Sequence, residues 1–580
     1  MSKLPTVVLE SFDPFHIGWS GAFTRPSSVF EAHRVSEVVP VLQQAERAAL
    51  DGQWAVTMLS YEAAAAFEEA TVVHPGGDFP MAWVALFDTD FECPSDTPSF
   101  HGLLEWIPEI TFSRYQKDVE TIREAIAHGD CYQVNYTFPL HARFDQEPWS
   151  LYRSLARGHA SGYCAWLNLG RYIVMSLSPE LLFQKEGRSL TVRPMKGTSR
   201  RGRWKEEDDL RKTWLATSEK NRAENLMIVD LLRNDLGRIS DNGSVHVSRL
   251  FEIEQYETVF QMTSTIKSIA KTHVGLVQIL EALFPSGSVT GAPKISAMSL
   301  IHQLESVPRN IYTGAIGLIR PGGDCTFNVA IRTLVLDTLR NAVTFNVGGG
   351  ITFDSTAEGE YEECLTKMRF LSSPRPSFEL LETLLLENGE YFLLDRHIER
   401  MKSSAEYFSY VWNEDSVRGE FLQVRINHSD RRWKVRILIS REGGVRSEVE
   451  LLAADSLKRW RVAVASERVD PSDPFFFHKT THRVFYQKAL QLTSQCDDLV
   501  FLNTRGEVTE STIGNVVVVR DGEKLTPPRE AGLLAGTFRQ ELLEKGAIRE
   551  CVLTEHDLRN SDEIYLVNSV RRWMRVDLVD

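Results

Sequence analysis

The 580-residue sequence predicts two α+β domains joined by a short linker. The chain is too long for a single hydrophobic core. Strand-like and helix-like segments are mixed without strict alternation, which favours α+β over a doubly wound sheet. Between such segments lies Leu371–Ser377 (LSSPRPS), whose prolines and serines are typical of a linker. We therefore predict domains at residues 1–373 and 374–580.

Each domain is predicted to contain both kinds of element. In the first, β-rich stretches are expected at Trp54–Tyr61, Gly162–Ser176, Tyr312–Ile319, Cys325–Val335 and Ala342–Val347, and helices at Ser113–His128, Lys220–Leu236, Pro293–Leu304 and Glu358–Phe370. In the second, Phe378–Leu394 reads as strands around an Asn388-Gly389 turn, a strong hairpin signal. Further strands are expected at Trp460–Ala465, Asp498–Leu502 and Asn515–Arg520, and helices at His397–Phe408 and Thr537–Lys545.

Composition excludes several classes of function. A net charge of −14 argues against nucleic-acid binding, which needs a basic surface. Seven scattered cysteines without a C-x-x-C pair predict reduced thiols, not a disulfide frame or a zinc site. The N-terminal residues lack the apolar core of a signal peptide, and no apolar run approaches about 20 residues. We therefore expect a cytoplasmic protein without a membrane span.

Charged groups on two predicted helices indicate a metal or anion site. Glu360 and Glu363 are i,i+3 neighbours, and Lys367 follows four residues later on the same face. Two carboxylates and an ammonium there suit Mg²⁺ beside an anionic substrate. A solvated, salt-bridged helix face is the alternative. Glu224 lies in an otherwise apolar helix, where an acid is costly to bury unless it is paired or metal-bound.

Two glycine clusters, Phe284–Lys294 (FPSGSVTGAPK) and Val347–Ile351 (VGGGI), match neither a Walker loop nor GxGxxG. Their bare backbone N–H groups can hold a carboxylate, although a simple turn is the alternative.

From about residue 50 to residue 370 the chain resembles the chorismate-utilising enzyme family. The resemblance is carried by ordered motifs: Ser60–Ala64, Gly129–Asn135, Ser178-Pro179-Glu180, Pro194–Thr198, the Glu224 helix, FPSGSVTGAPK, Tyr312-Thr313-Gly314, Val329–Thr333, VGGGI and the Glu363 helix. So many matches in order exclude coincidence. The resemblance implies an N-terminal β-sandwich with surrounding helices that binds chorismate.

Lys196 separates two branches of that family. Anthranilate synthases typically carry alanine at this position, whereas aminodeoxychorismate synthases carry a lysine that acts as nucleophile. A neutral amine could attack C2 of chorismate and expel the C4 hydroxyl, after which ammonia enters at C4 and expels the lysine. The pKa of Lys196 must therefore be lowered. The resemblance makes Glu180 the general acid and later the base.

The resemblance also implies the substrate and metal sites. It places Mg²⁺ on Glu224 and Glu363, with Glu360 nearby, to hold the ring carboxylate. It assigns to substrate binding Gly197, Thr198, Thr290, Gly291, Tyr312, Arg332, Gly348, Gly349, Gly350 and Lys367. The guanidinium of Arg332 has the fork geometry for a bidentate carboxylate contact.

One residue departs from the family pattern, and one domain is missing. Many relatives carry histidine where this chain has Gln261, which can hydrogen-bond but cannot donate a proton as imidazolium does. No cysteine lies in a glycine-rich nucleophile elbow, so no glutamine amidotransferase domain is evident. We therefore expect ammonia to come free or from a separate glutaminase subunit.

Residues 378–580 contain four motifs in order, His397–Met401, Phe477–Arg483, Leu502–Val516 and Leu525–Arg539. This ordered set resembles fold-type IV pyridoxal-phosphate enzymes, a group that includes branched-chain aminotransferases, D-amino-acid aminotransferases and aminodeoxychorismate lyase. The resemblance implies a two-subdomain α+β domain in which Lys479 carries pyridoxal 5'-phosphate as a Schiff base and shuttles protons. It makes Glu510 the partner of the pyridinium N–H. Arg400 would grip the phosphate, with the backbone N–H groups of Ile513, Gly514, Thr537 and Phe538.

Chemical continuity favours a lyase in the second domain. The first domain would make 4-amino-4-deoxychorismate, and the second would eliminate pyruvate from it to give 4-aminobenzoate in the folate pathway. Thr383 is a candidate proton donor for the departing enolpyruvyl group. Two alternatives stay open: an anthranilate-type synthase joined to an aminotransferase, and a synthase with an inactive C-terminal docking domain. Fold-type IV enzymes are commonly dimers, so a homodimer is possible.

Overall fold

The computed structural model describes residues 6–12, 19–90, 104–159, 161–256, 258–372, 378–452, 459–491 and 496–579. Most of the predicted linker, residues 373–377, lies outside the described residues. The chain divides into two compact units. The first comprises residues 1–200 and 213–375, and the second comprises residues 201–212 and 376–580. The second unit therefore contains a twelve-residue segment from the N-terminal half of the sequence.

The first unit contains two large, antiparallel sheets. One sheet has the strand order Gly291–Ala292, Gln133–Arg143, Ala342–Ile351, Thr333–Asp337, Tyr172–Ser178, Tyr163–Asn168, Val7–Glu10 and Gly21–Phe23, with Ile107–Pro108 beside Gln133–Arg143. The other has the order Met195–Arg200, Val259–Ile269, Ser189–Arg193, Leu181–Glu186, Cys325–Val329, Ala315–Ile319, Trp54–Leu59, Ala82–Phe87 and Ser28–Ala32, with His246–Gln255 beside Val259–Ile269.

A shared core shows that the two sheets form a sandwich. Val7 and Phe23 of one sheet pack in one buried cluster with Val56 and Phe87 of the other. Helices cover the two outer faces of the sandwich, and each face has its own apolar cluster. They are Val35–Leu50, Phe112–His128, Pro148–His159, Glu219–Ile239, Leu276–Leu283, Lys294–Leu304 and Ala357–Ser372, with short 3₁₀ turns at Tyr61–Ala66 and Gly287–Val289. The predicted sandwich with surrounding helices is confirmed.

The chain passes from one sheet to the other at two places that lie side by side. Strand Tyr172–Ser178 lies in the first sheet and Leu181–Glu186 in the second, so Glu180 lies at the crossing. The β-rich stretch predicted at residues 325–335 forms two strands, Cys325–Val329 and Thr333–Asp337, because the chain changes sheet near Arg332, which has φ +50°. Backbone hydrogen bonds join the crossings, from Val329 N to Glu180 O (3.0 Å) and from Leu177 N to Arg332 O (3.0 Å). This arrangement brings Glu180 and Arg332 to one edge of the sandwich.

The second unit contains a small and a large sheet. The small sheet has the order Glu390–Tyr391, Leu380–Glu387, Arg432–Ile439 and Val445–Leu451. The large sheet has the order Val508–Ser511, Asp498–Asn503, Trp460–Val469, Arg572–Leu578, Glu563–Asn568, Asn515–Arg520, Glu523–Thr526 and Arg549–Glu550. The helices are Leu394–Phe408, Glu414–Asn427, Val484–Gln491, Thr537–Glu544 and Glu555–Arg559, with 3₁₀ turns at Pro474–Phe476 and Arg529–Ala531. Helix Lys205–Thr217 crosses the division between the units at residue 212.

The second unit confirms the predicted α+β class, with one difference. After the Asn388-Gly389 turn the returning strand has only two residues, and a helix begins at Leu394. The described cysteines are free thiols. In the described part of the chain, no helix is both long and apolar enough to cross a lipid bilayer.

Candidate active sites

A cavity of about 670 Å³ opens in the first unit, within the usual size range of small-molecule sites. Most of the residues proposed for that domain from the sequence line it: Lys196, Glu180, Gly197, Thr198, Tyr312, Arg332, Gly348, Gly349, Gly350, Lys367, Glu224, Glu360 and Glu363. Thr290 and Gly291 are not among its lining residues. The Thr290 hydroxyl instead donates to the carbonyl of Ser286 (3.0 Å), and Gly291 packs against strand Gln133–Arg143.

Lys196 projects from an irregular edge strand. The register between Met195–Arg200 and its neighbour shifts between Met195 and Thr198, and Gly197 has φ +99°. Such a bulge re-aims a side chain relative to a regular strand. The Asn225 amide donates to the carbonyl of Lys196 (3.2 Å) and so fixes the bulge from the neighbouring helix. Burial lowers the pKa of Lys196, and the charge of Lys367 lowers it further.

Gly350 leaves room for the Lys196 amine. A Cβ atom at Gly350 would lie 2.7 Å from Lys196 Nζ and 2.2 Å from Gln133 Nε2. Gln133 is fully buried, and neither atom of its amide has a hydrogen-bond partner in the described structure. Such orphaned buried groups are rare in proteins and call for an explanation. Sequence reasoning missed Gln133 as a site residue, although it lies within the quoted Gly129–Asn135 motif.

The Glu180 carboxyl is buried, and its pKa lies near neutral. Burial raises the pKa of Glu180 to about 7, although hydrogen bonding and the Lys196 charge oppose this. The Ser288 hydroxyl donates to Glu180 Oε1 (2.6 Å). Ser288 was not assigned a role from the sequence, but it belongs to the glycine-rich FPSGSVTGAPK segment. An acid with a pKa near 7 can donate a proton and later remove one.

The three acidic residues proposed for Mg²⁺ line the same cavity but have protein partners. Lys367 Nζ lies 2.8 Å from Glu363 Oε1, and its charge lowers the pKa of Glu363. Burial raises the pKa of Glu360, which accepts from the Ser355 hydroxyl (2.7 Å). Glu224 lies 3.9 Å from Lys220. Over the described residues, no three or more His, Cys, Asp or Glu side chains are grouped closely enough to hold a metal alone.

Arg332 contributes a positive charge to which the described residues supply no acidic counterion. Its guanidinium lies over the ring of Tyr256 (5.9 Å), and burial lowers the pKa of Arg332. Among the residues that the structure describes, no aspartate or glutamate pairs with it. A partly buried cation without a counterion is unfavourable, so an anionic ligand is its natural partner. Gln261 also faces the cavity and accepts from the Thr198 hydroxyl (3.1 Å).

In the second unit, Lys479 lies among cationic side chains. Burial lowers the pKa of Lys479 to about 7, and the charges of Arg483 and Arg400 lower it further. Glu382 and Glu510 act in the opposite direction. The carbonyl of Lys479 accepts from Leu381 N (3.0 Å), which ties the lysine loop to the small sheet. A substantial fraction of this amine is therefore neutral and nucleophilic at neutral pH.

Arg400 belongs to a buried polar cluster with Glu382 and His397. Its guanidinium donates twice to Glu382 (2.7 Å each) and once to the carbonyl of Ala535 (3.0 Å). His397 Nδ1 contacts Glu382 (2.6 Å), and His397 Nε2 contacts the Thr537 hydroxyl (3.0 Å). Although burial raises the pKa of Glu382, Arg400 and His397 hold it well below its usual value. The cluster connects Arg400 to the first residue of helix Thr537–Glu544.

Sequence reasoning missed Glu382 and His397 as site residues. A single acid in the leucine-rich strand Leu380–Glu387 is the signal that could have revealed Glu382. His397 stands three residues before Arg400 in a motif that was already recognised. Thr383 follows Glu382 on the strand, so its side chain faces away from the Arg400 cluster. Its backbone carbonyl accepts from the Ser569 hydroxyl (3.3 Å).

The other predicted cofactor residues lie on the large sheet and on helix Thr537–Glu544. Glu510 is buried, which raises its pKa to about 7, and it accepts from the Tyr486 hydroxyl (2.8 Å). The backbone N–H groups of Ile513 and Gly514 donate to the Ser511 hydroxyl (3.3 and 3.0 Å), so an anion there would have to take the place of that hydroxyl. Thr537 and Phe538 open the helix, where N–H groups are available to an anion. This helix start and the Arg400 side chain suit a phosphate group.

Comparisons with known proteins find a family match for each half of the chain. Residues 88–373 match the family model of chorismate binding enzymes, and residues 379–579 match that of amino-transferase class IV. Aminodeoxychorismate synthase component 1 of Escherichia coli is 37% identical over 264 residues, 46% of this chain and 58% of that protein. Anthranilate synthase component 1 of Streptomyces coelicolor is also 37% identical, over 47% of this chain and 53% of that protein. Overall identity therefore does not distinguish the two activities.

The match spans less than two thirds of either relative. Among solved structures, anthranilate synthase component I from Streptococcus pneumoniae superposes with a TM-score of 0.52 at 24% identity, over 64% of this chain and 93% of that one. This likeness supports the sandwich fold of the first unit. The chain thus joins a chorismate-binding enzyme domain at residues 88–373 to a class IV amino-transferase domain at residues 379–579.

Proposed function

We propose that this protein converts chorismate and ammonia into 4-aminobenzoate, pyruvate and water in two steps. The first unit replaces the C4 hydroxyl of chorismate by an amino group. The second unit then eliminates pyruvate from 4-amino-4-deoxychorismate. The observation that carries the proposal is a single cavity that holds the Lys196 amine, the Glu180 carboxyl and the unneutralised Arg332.

The charges of the first cavity fit a dicarboxylate substrate. Arg332 lacks an acidic partner in the described structure, so a substrate carboxylate would relieve its unfavourable burial. Tyr312 and the bare backbone of Gly348–Gly350 line the same space and could receive the second carboxylate. Lys367 donates to the carbonyl of Gly348 (2.9 Å) and keeps that backbone in place. Gly197 and Thr198, and less directly Thr290 and Gly291, would shape the wall around the ring.

Lys196 and Glu180 would perform the substitution. The neutral amine of Lys196 attacks C2 while the protonated Glu180 carboxyl gives its proton to the departing C4 hydroxyl. Ammonia then attacks C4 and displaces the lysine from C2, and the Glu180 carboxylate recovers a proton. The lysine needs a lowered pKa and the acid a raised one, and burial shifts both in that direction.

Mg²⁺ would be held by Glu224 and Glu363, with Glu360 nearby. The ion prefers few protein carboxylates and shares its other positions with substrate and water, so this open set of acids fits it. Its charge would neutralise the ring carboxylate of the substrate. Lys367 and Lys220, which neighbour two of these acids, would have to move aside or share them.

The second unit would bind pyridoxal 5'-phosphate through Lys479, Glu510 and Arg400. When bound, this cofactor supplies an electron sink for removal of the substrate's C4 proton. Lys479 would take that proton, and Glu510 would hold the proton of the pyridine nitrogen. Arg400 and the N–H groups of Ile513, Gly514, Thr537 and Phe538 would hold the phosphate. Thr383 stays a candidate donor of the proton that the departing enolpyruvyl group needs.

The ammonia would come from a separate glutamine amidotransferase subunit. The E. coli relative is by its name a component 1, which fits a synthase that works with a second chain. This partner, cytoplasmic location and a homodimer through the second unit are parts of the same proposal.

A Lys479→Ala variant tests whether the second unit performs the second step. Incubated with chorismate, Mg²⁺ and ammonia, it should accumulate 4-amino-4-deoxychorismate and release no pyruvate. The wild type should release one pyruvate for each chorismate consumed. A variant that still formed 4-aminobenzoate at the wild-type rate would contradict the assignment of the second step to this unit.

A further inference from the structure

Residues 201–212 lie in the N-terminal half of the sequence but pack as part of the second unit. They directly follow the strand Met195–Arg200, which carries Lys196. We call this stretch the inserted segment. Its described contacts reach the loop before Lys479 and the loop before helix Thr537–Glu544, the two places where the second unit is proposed to hold its cofactor.

A buried ion pair closes the inserted segment on itself. Arg201 and Asp208 are 5% and 4% exposed, and their side chains are joined by hydrogen bonds of 2.7 to 3.0 Å. Gly202 N also donates to Asp208 (2.8 Å). A Cβ atom at Gly202 would lie 2.2 Å from the backbone N of Asp208, so only glycine fits there. The ion pair therefore holds the turn at residues 201–204 against the first turn of helix Lys205–Thr217.

This turn contacts Tyr407, whose ring stacks on His478, the residue before Lys479. Arg201 donates to the carbonyl of Tyr407 (2.8 Å) and lies over its ring (4.5 Å), while the Tyr407 hydroxyl donates to the carbonyl of Gly202 (2.7 Å). The ring of Tyr407 stacks on His478 at 4.3 Å between centroids. Through Tyr407 the turn thus fixes the backbone from which Lys479 projects.

Trp204 supports the other side of the same loop. Its ring packs against Phe477 at 4.9 Å, two residues before Lys479. The guanidinium of Arg529 lies over Trp204 (4.6 Å) and pairs with Glu206 (3.2 Å). Arg529 begins the 3₁₀ turn Arg529–Ala531, which leads to the N-terminus of helix Thr537–Glu544. One short segment thus contacts both loops.

We propose that the inserted segment is a positioning element of the second catalytic unit, with Arg201, Asp208 and Trp204 acting on Lys479 through Tyr407, His478 and Phe477. The inference rests on the proposed lyase function. It implies that the C-terminal domain is completed by residues from the synthase half of the sequence, so the two enzymes are not separable modules. None of these residues contacts substrate in the proposal.

The test uses the full chain loaded with pyridoxal 5'-phosphate. Tyr407→Phe removes one hydroxyl and keeps the stacked ring, and Arg201→Met removes the buried cation. Lys212→Ala is the matched control, because Lys212 is an exposed lysine at the end of the same segment. Three quantities are measured: the absorbance of the lysine-bound cofactor at about 420 nm and its midpoint in a pH titration, kcat and KM for pyruvate release, and ammonia-dependent amination of chorismate.

For Tyr407→Phe we expect kcat for pyruvate release to fall by about threefold to tenfold with KM within about twofold, together with a shifted titration midpoint. For Arg201→Met kcat for pyruvate release should fall by more than tenfold, and Lys212→Ala should behave as wild type. Amination by Tyr407→Phe should stay within about twofold of wild type. If Arg201→Met does not fold, Tyr407→Phe carries the test alone.

The proposal is overturned if Tyr407→Phe retains wild-type kcat and the wild-type titration midpoint. It is also overturned if Lys212→Ala loses as much activity as Tyr407→Phe. A wild-type chain that binds no cofactor at all contradicts the proposed function itself, so the two failures are distinguishable.

Discussion

Lys196 and Lys479 are both lysines whose pKa is lowered first by burial, but their neighbours differ in charge. Glu224, Glu180 and Glu363 partly restore the pKa of Lys196, and Lys367 acts against them. At Lys479 the charges of Arg483 and Arg400 lower the pKa further, and each has a larger effect than the opposing charge of Glu382 or Glu510. The first site is thus acidic around its amine, which suits a metal and ammonia, whereas the second is basic, which suits a phosphorylated cofactor.

The two arginines beside these lysines show the same contrast. Arg400 is satisfied by the protein, since Glu382 accepts two of its hydrogen bonds and Ala535 a third. In the described structure Arg332 has an aromatic neighbour, Tyr256, but no carboxylate. A permanently bound cofactor can rely on a pocket prearranged by internal pairs. A substrate that comes and goes instead binds where the charge is left uncompensated.

The largest effect is expected from removing either amine. Lys479→Ala should reduce pyruvate release, and Lys196→Ala should reduce chorismate amination, each by about a thousandfold or more because a covalent route is lost. Each variant should retain the other activity within about twofold. The measurement is separate assay of chorismate consumption and of pyruvate release from supplied 4-amino-4-deoxychorismate. Loss of both activities in one variant would break the division into two independent amines.

The two arginines should respond in opposite ways to the same substitution. Arg400→Met leaves Glu382 buried without its main partner and should lower the free energy of unfolding by about 3–5 kcal/mol. Arg332→Met removes a charge that has no acidic partner, so stability should change by less than about 1 kcal/mol while KM for chorismate rises about 100-fold. Denaturant unfolding of the ligand-free variants measures the difference. Equal destabilisation by both substitutions would contradict the proposed contrast.

The pH dependence of amination should follow the two buried groups of the first cavity. Above about pH 7 the rate should fall because Glu180, whose pKa is raised to about 7, loses its acid proton. At lower pH it should fall because Lys196 gains a proton. Glu180→Gln should lower the rate by about a hundredfold and abolish the alkaline fall. An unchanged alkaline limb in that variant would assign the proton donation to another group.

The smallest effect concerns the space beside Lys196. Gly350→Ala would place a Cβ 2.7 Å from Lys196 Nζ, so the amine must shift, and amination should fall by about tenfold. Pyruvate release from supplied 4-amino-4-deoxychorismate should not change. Gly237→Ala is the matched control, because a Cβ there meets nothing within 4 Å. Equal amination by both variants would show that Gly350 does not set the position of the amine.

Much of the fold follows from local sequence signals. The hydrophobic periodicity of Glu219–Ile239, the Asn388-Gly389 turn and the acidic helix near Glu363 all predict the observed elements. Local patterns could not reveal that the chain changes sheet at Glu180 and Arg332, because a crossing depends on pairing with distant strands. They also could not reveal that residues 201–212 pack with the second unit, since the Arg201–Asp208 pair looks locally like an ordinary charged turn.

The sequence could predict the candidate site residues where they belong to ordered motifs. Lys196, Glu180 and Arg332 lie in such motifs, and the structure brings them to one cavity. Gln133 and Glu382 were missed because only the tertiary structure reveals that one has an orphaned amide and the other a buried cation partner. Thr290 and Gly291 were assigned to the substrate. In the structure Thr290 donates to the carbonyl of Ser286 and Gly291 pairs with strand Gln133–Arg143, and their part in substrate binding stays a prediction.

The central claim is that this one chain makes 4-aminobenzoate with two lysine amines, those of Lys196 and Lys479. The identity of the aromatic product tests that claim most directly. The purified protein, loaded with pyridoxal 5'-phosphate, is incubated with chorismate, Mg²⁺ and ammonia, and the products are separated and identified against standards. We predict 4-aminobenzoate together with an equal amount of pyruvate, and neither product from Lys196→Ala. Anthranilate as the aromatic product would contradict the account and favour an anthranilate-type synthase.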